Sequence, residues 1–191
     1  MMDTERIKHA VVEFLEAIGE DPNREGLVET PDRVARMCQE VLAGTAYTNK
    51  EIAEMYGKTF ELTNNSKDMV LIKDIDVFSY CEHHLALMYN MKVSVAYIPK
   101  DKVLGLSKVA RIADMAAKRL QLQERLGKDI AEIISLASGS DDVAVIIKGC
   151  HSCMSARGIK KTNALTVTTT YYGAFKDNTD LQNKLLLQLQ L

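Results

Sequence analysis

Two short stretches of this sequence concentrate the residue types that bind metals. The first, at residues 79–84, reads SYCEHH, and the second, at residues 150–153, reads CHSC. Together they hold three of the four histidines and three of the four cysteines of the chain. Thiolate and imidazole are ligands that zinc prefers. The sequence therefore predicts a metal site assembled from two distant pieces of chain.

The spacing within the two stretches allows two kinds of metal site. Cys81 and His84 stand in a C-x-x-H arrangement, and Cys150 and Cys153 stand in a C-x-x-C arrangement. All four could close a tetrahedral structural site around one zinc ion. The alternative is an open site with three protein ligands and a water, whose pKa the metal lowers to about 7.

Two further histidines, His83 and His151, adjoin the predicted ligands. A closed tetrahedron does not need them, whereas an imidazole beside a metal-bound water can transfer protons near neutral pH. Each could instead be a histidine that supports a ligand or packs in the core. The residues favour the open site but leave both alternatives standing.

Basic and hydroxyl side chains near predicted helix starts indicate an anionic ligand. Ser107, Lys108 and Arg111 fall within one turn at a helix N-terminus, where the dipole, backbone N–H groups and positive charge favour phosphate. Arg157 follows the second cysteine cluster, and residues 123–125 begin the next helix. Each feature alone is typical of a solvated surface. As a set they predict an anionic substrate held over a metal.

The composition is that of an ordinary globular protein. Of 191 residues, 47% are hydrophobic and 26% are charged, with a net charge of −2, which argues weakly against a nucleic-acid coat. No apolar run approaches the roughly 20 residues needed to cross a bilayer, and the charged N-terminus does not resemble a signal peptide. We expect a cytoplasmic protein with reduced thiols that binds neither nucleic acid nor membrane.

The hydrophobic periodicity predicts an α+β fold. Helical spacing covers about residues 7–18, 31–43, 50–55, 107–120 and 123–137. Strand patterns cover residues 69–78, 91–97, 143–147 and 165–172. After the N-terminal helices the order is β-β-α-α-β-β, which indicates an antiparallel sheet with a helical pair. We expect an N-terminal helical region at 1–65 and a catalytic domain at 66–191.

Two local features complete the predicted architecture. Ser107 is the expected N-cap of the first central helix. The last twelve residues contain six leucines, which predicts either a final packed helix or a contact between subunits.

Several motifs resemble those of GTP cyclohydrolase I in residues, order and spacing. They are SYCEHH at 79–84, GLSKVAR at 105–111, QLQERL at 121–126 and HSCMSARGI at 151–159, with EDPNREGL at 20–27 and ETPDRVA at 29–35 resembling the N-terminal segment of that family. The resemblance extends over nearly the whole chain, from about residue 4 to residue 175.

The resemblance implies an enzyme that hydrolyses GTP at C8, releases formate and rearranges the ribose to give 7,8-dihydroneopterin triphosphate, the first step toward tetrahydrofolate. It implies a tunnelling fold and a toroidal homodecamer of two pentamers, with active sites shared between subunits. Zn²⁺ would be held by Cys81, His84 and Cys153, with water as the fourth ligand.

The same resemblance implies roles for individual residues. His83 would handle the purine N7 proton, His151 would assist ring opening and sugar chemistry, and Ser107 would assist the later rearrangement. Glu124 would read guanine, because a carboxylate accepts from both N1–H and the 2-amino group, and Gln123 would neighbour it in that pocket. The triphosphate would be bound by Lys108, Arg111, Arg157, Arg33 and Arg36.

The sequence departs from the family pattern at a few positions. Cys150 stands where no thiol is expected, so it could compete as a ligand or pair with Cys153 on oxidation. Leu120 stands where many relatives have proline, and Arg36 stands where some have lysine. The first helix begins almost at the first residue, so no N-terminal regulatory extension is expected.

Three other kinds of function also use clustered cysteine and histidine, and each makes a different demand on the sequence. A zinc nucleobase deaminase needs H-x-E and P-C-x-x-C, whereas here Glu82 lies between Cys81 and His83, and Gly149 precedes Cys150. A related tunnelling-fold enzyme acting on a pterin or deazaguanine would arrange its ligands or nucleophile differently. A zinc-stabilised scaffold without activity would use four protein ligands and would fold only with metal.

Overall fold

The computed structural model describes residues 2–62 and 68–190. Within these ranges the helices are α1 (Thr4–Ala17), α2 (Thr30–Val41), α3 (Asn49–Tyr56), α4 (Leu106–Ala117), α5 (Gln123–Ser138), α6 (Ser152–Ser155) and α7 (Thr179–Gln190). The strands are β1 (Thr59–Glu61), β2 (Val70–Cys81), β3 (Ala86–Tyr97), β4 (Lys102–Leu104), β5 (Leu120–Gln121), β6 (Val143–His151) and β7 (Thr166–Tyr171). No helix in this part of the chain is both long and apolar enough to span a membrane.

A five-stranded sheet in the order β5-β2-β3-β6-β7 forms the centre of the fold. Strands β2, β3, β6 and β7 pair antiparallel with their neighbours, and β5 runs parallel to the end of β2. The predicted α+β class is confirmed. The long elements follow the predicted order, but the short strands β4 and β5 were not predicted, and β5 makes the sheet partly parallel. The tunnelling topology itself stays a prediction.

Alternation along the strands gives the sheet two buried faces. On β6, Val143, Val145 and Ile147 pack in the large cluster that contains the apolar sides of α3, α4 and α5. The intervening Ala144 and Ile146 lie in a second cluster on the other face. Period-two side-chain direction produces this division, since successive residues point to opposite faces of a sheet.

Helix α7 covers the second cluster. Leu185 is 1% exposed and packs with Phe175, while Leu187 on the same helix is 65% exposed. The leucine-rich end therefore forms a packed final helix, one of the two predicted alternatives. A subunit contact through its outer leucines stays a prediction.

The N-terminal region is tied to the central sheet beyond its first two helices. Ile52 and Ala53 of α3 are buried in the large cluster. Strand β1 pairs antiparallel with β4, in a two-stranded ribbon that the sequence did not predict. The predicted division between residues 65 and 66 lies outside the described residues, and it stays a prediction.

The start of α4 differs from expectation. The N-cap is Gly105 and the helix begins at Leu106, so Ser107 is its second residue and no side chain caps the helix. The chain leaves β4 at Leu104, and Gly105 N–H donates to Lys58 O at 3.1 Å. That hydrogen bond holds Gly105 outside the helix and allows helical turns immediately after it.

Candidate active site

The two cysteine clusters meet because of the strand order. Strands β2 and β6 both pair antiparallel with β3, so they run in the same direction and terminate at the same end of the sheet. Met88 on β3 lies opposite Ser79 of β2 on one side and His151 of β6 on the other. The first cluster therefore lies at the end of β2 and the second at the end of β6, with β3 between them.

Three side chains from these strand ends converge. The ligand atoms of Cys81, His84 and Cys153 all lie within 4.8 Å of one another. Cys81 is buried, Cys153 is half-buried and His84 is exposed, so the group is reachable from one side. Two thiols and one imidazole form a donor set that suits zinc and fits a metal cofactor. Cys150, which pairs with Tyr89 on β3, does not belong to this group.

The charges around the group favour a cation between the two thiols. Burial raises the pKa of the Cys153 thiol, the adjacent Cys81 raises it further, and Arg157 lowers it. Two neighbouring thiols resist losing both protons unless a cation compensates, so metal binding here would be coupled to proton release. Arg157 also donates from Nη1 to His84 Nε2 at 2.9 Å, which places one predicted phosphate-binding residue directly at the group.

A hydrogen-bond network secures the turn that carries Cys81 and His84. Glu82 N–H donates to Gln121 O at 3.1 Å, and Arg125 Nη2 donates to Glu82 Oε2 at 2.5 Å. Arg125 Nε in turn donates to Gln121 Oε1 at 3.0 Å. The sequence predicted no role for Glu82, and it placed Arg125 only among the residues that favour an anionic substrate. The i,i+4 spacing of Gln121 and Arg125 was the one available signal.

His151 is held by a buried glutamine. Its Nε2 lies 2.9 Å from Gln123 Oε1, and Gln123 is 1% exposed. Burial lowers the pKa of His151, and the charge of Glu124 opposes that shift. The amide of Gln123 donates to Ile147 O and Thr166 O, each at 3.1 Å. A side chain so enclosed has little access to a ligand, so its predicted place in the substrate pocket stays untested.

The remaining predicted catalytic and guanine-reading residues lie on exposed parts of the same region. His83 is exposed, and its ring stands edge-on to the His84 ring at 6.2 Å between centroids. Ser107 is exposed on the first turn of α4, and Glu124 is exposed on the first turn of α5. Each is available to a ligand.

The predicted triphosphate residues lie in separate places. Lys108 and Arg111 are on α4, and Arg157 is at the cysteine group. Arg33 and Arg36 are exposed on α2, a helix that packs mainly on α1, and Arg33 pairs with Glu29. Among the described residues, neither α2 arginine forms a hydrogen bond or ion pair with the cysteine group. The contacts described within one chain therefore do not join the α2 arginines to the cysteine group.

The fold and site define an α+β protein with a candidate metal centre of two cysteines and one histidine. The family model for GTP cyclohydrolase I matches residues 7–190, and the chain belongs to that family.

Curated relatives resemble the chain along its whole length. GTP cyclohydrolase 1 of Ruminiclostridium cellulolyticum is 60% identical over 190 residues, which cover 97% of this chain and 97% of the relative. The enzymes of Clostridium acetobutylicum and Clostridium beijerinckii are 57% and 55% identical, each covering 97% of this chain and 96% of the relative. Among solved structures, the apo form of the archaeosine synthase QueF-Like is 24% identical, covers 56% of this chain and 96% of its own, and has a TM-score of 0.46.

Proposed function

We propose that this protein hydrolyses GTP at C8, releases the carbon as formate and forms 7,8-dihydroneopterin triphosphate, the first step of tetrahydrofolate biosynthesis. One observation carries the proposal. A chain of the GTP cyclohydrolase I family, with relatives of that name at 55–60% identity, brings Cys81, His84 and Cys153 within 4.8 Å of one another.

The three side chains would hold Zn²⁺. When bound, zinc supplies an activated water at neutral pH by lowering its pKa to about 7. The position of Cys150 outside the group supports an open site with three protein ligands rather than a closed site with four. A cytoplasmic location would keep all four cysteines reduced, in agreement with the free thiols found here.

The other residues would bind GTP and move protons. His83, exposed beside His84, would handle the proton at purine N7, and His151 would assist ring opening and the sugar chemistry. Ser107 would assist the later rearrangement. Glu124 would accept from N1–H and the 2-amino group of guanine, with Gln123 beside it.

The triphosphate would be bound by Lys108, Arg111, Arg157, Arg33 and Arg36, with the last two reaching the site of a neighbouring subunit. Oligomeric assembly is expected for this family, and a homodecamer with shared active sites would join the α2 arginines to the cysteine group. Phe14 and Ile18 are 62% and 57% exposed at the end of α1, which supports burial of this helix pair against another copy.

The proposal is tested by incubating the purified protein with GTP, then measuring formate, pterin fluorescence after oxidation, and bound zinc. Cys153→Ser should lose zinc and lower turnover by about 100-fold or more, because an open site has no spare ligand.

Cys150→Ser is the matched control, since it removes a thiol three residues away that lies outside the group. It should keep both zinc and turnover. Zinc loss from Cys150→Ser would support the closed site. Absence of formate from wild-type protein with zinc bound would support a scaffold instead.

A further inference from the structure

The contacts of Gln123 determine the orientation of its side-chain amide. The nitrogen Nε2 lies 3.1 Å from Ile147 O and 3.1 Å from Thr166 O, and 3.2 Å from Thr168 Oγ1. Backbone carbonyls only accept hydrogen bonds, so the reversed amide would direct an oxygen at two other oxygens. Strands β6 and β7 thus require the NH₂ group of Gln123 on their side and leave Oε1 directed at His151.

This orientation determines which nitrogen of His151 carries the hydrogen. Gln123 Oε1 can only accept, and it lies 2.9 Å from His151 Nε2, so Nε2 must donate. A neutral imidazole has one N–H, and therefore Nδ1 holds the lone pair. Among the described residues, no hydrogen bond reaches His151 Nδ1.

We propose that Gln123 is a positioning residue that holds neutral His151 as the Nε2–H tautomer, so that Nδ1 is the ring nitrogen that accepts a proton in the GTP reaction. The tautomer follows from the contacts above, and only its catalytic use rests on the proposed function. Gln123 is only 1% exposed, and both groups of its side-chain amide already have hydrogen-bond partners within the protein. Gln123 therefore acts on GTP through His151 and not by direct contact.

The surroundings keep the amide in place. Gln123 is the first residue of α5, and its acceptors belong to β6 and β7, so three elements of the fold fix its side chain. A Cβ at Gly149 would lie 3.2 Å from Gln123 Oε1 and 3.0 Å from Met91 Cγ. Glycine at that position leaves room for the oxygen to face His151.

The tautomer can be read directly by nitrogen NMR of protein labelled with ¹⁵N-histidine. The chain has four histidines, so the ring signals are few, and His151→Asn identifies the one of interest. At about pH 8, above the usual imidazole pKa, wild-type His151 should show the Nε2–H pattern. In Gln123→Met the ratio of Nε2–H to Nδ1–H should fall about fivefold, as expected for loss of one hydrogen bond of about 1 kcal/mol.

Gln121→Met is the matched control. Gln121 is also 1% exposed, but its side chain bonds to Ala116, Asp129 and Arg125 and not to His151. It should leave the tautomer of His151 unchanged. An Nδ1–H pattern in the wild type, or an unchanged ratio in folded Gln123→Met, overturns the proposal.

A second variant decides the matter if Gln123→Met does not fold. In Gln123→Glu, the side chain keeps an oxygen that accepts from His151 Nε2–H whether or not the carboxyl is ionised, so the Nε2–H pattern should persist. Its loss in a folded Gln123→Glu protein contradicts the assignment.

Steady-state kinetics separate positioning from direct binding. Gln123→Met should lower kcat with KM little changed, whereas a residue that contacts guanine would raise KM, and that result would overturn the proposal. The NMR readout needs no substrate. A wild-type protein without GTP turnover would therefore contradict the proposed function while the tautomer assignment stands.

Discussion

Arg125 and Glu82 form an ion pair beside the residues that converge at the candidate metal centre. Glu82 follows Cys81 directly, and Arg125 bonds to it and to Leu120 O and Gln121 Oε1. The two side chains are 44% and 31% exposed, so the pair contributes little to stability. Its effect is on geometry, because it links the turn that carries two of the three candidate ligands to the start of α5.

We expect Arg125→Met to weaken zinc binding by about tenfold, because residues that orient metal ligands typically affect affinity to that extent. Competition with a chromophoric chelator measures the dissociation constant. Arg24→Met is the control, since Arg24 pairs with Glu20 at similar exposure on a surface segment. Equal affinities for wild type and Arg125→Met would show that the ion pair does not organise the turn.

Sequence reasoning at this scale identified the clustered residues but not their supports. The spacing of the two clusters indicated that Cys81, His84, Cys150 and Cys153 belong together, and only the resemblance to GTP cyclohydrolase I selected Cys81, His84 and Cys153 among them. The hydrogen bonds that support the site join residues far apart in the chain, with sequence separations of 43 for Glu82 and Arg125 and 28 for Gln123 and His151. No local pattern reports such contacts, because they exist only once the strands have paired.

Between elements, Gly44 is the point where the N-terminal region docks on α4. A 3₁₀ turn at Ala43–Ala46 places Gly44 N–H 2.9 Å from Lys118 O, and Arg119 Nε donates to Gly44 O at 3.0 Å. A Cβ on Gly44 would lie 2.1 Å from Met115 O and 2.9 Å from Lys118 O. Backbone atoms cannot move aside as a flexible side chain can.

We therefore expect Gly44→Ala to lower the free energy of unfolding by about 2–4 kcal/mol, because the end of α4 must shift to admit one methyl group. Denaturant titration at fixed protein concentration measures it.

Gly26→Ala is the matched control for that substitution. The added Cβ meets only Arg24 Nη1, at 3.0 Å, which is the end of a flexible side chain. It should change stability by less than about 0.5 kcal/mol. A similar loss in both variants would mean that helix docking at Gly44 is not specific.

The long helices and strands could be predicted because the apolar residues of each recur at the spacing typical of that element. Helix α5 and strand β6 follow the apolar spacing seen in the sequence. The three-residue strands β1 and β4 were missed, since a segment that short has no measurable alternation and exists through its pairing alone. The N-cap assigned to Ser107 was wrong for a related reason, because the contact of Gly105 with Lys58 begins the helix two residues earlier.

At the scale of the whole molecule, the separation of the α2 arginines from the cysteine group has a direct test. Mixed oligomers of Arg33→Ala and Cys153→Ser subunits should recover about a quarter of wild-type turnover, because some shared sites receive both intact residues. Formate release from co-refolded subunits measures it.

The control mixture combines Arg33→Ala with Arg36→Ala. Both residues lie on the same helix, so no site receives an intact α2 and no recovery is expected. If the first mixture also fails to recover turnover, Arg33 does not act across a subunit boundary.

The C-terminal helix offers a second test at this scale. Leu185→Ala should lower the free energy of unfolding by about 2–4 kcal/mol, because Leu185 is buried against Phe175. Leu187→Ala, on the exposed side, should change it by less than about 0.5 kcal/mol. A large loss for Leu187→Ala that depends on protein concentration would instead indicate a contact between subunits.

The distance in sequence between the two strand ends also determines when the candidate metal centre could form during synthesis. A ribosome releases Cys81 and His84 well before Cys153 has been translated. Two ligands on a turn hold an ion only weakly, and the third arrives when β6 adds to the edge of β3. Metal loading would therefore follow the pairing of β6 with β3, and a nascent chain stalled before β6 would not retain the ion.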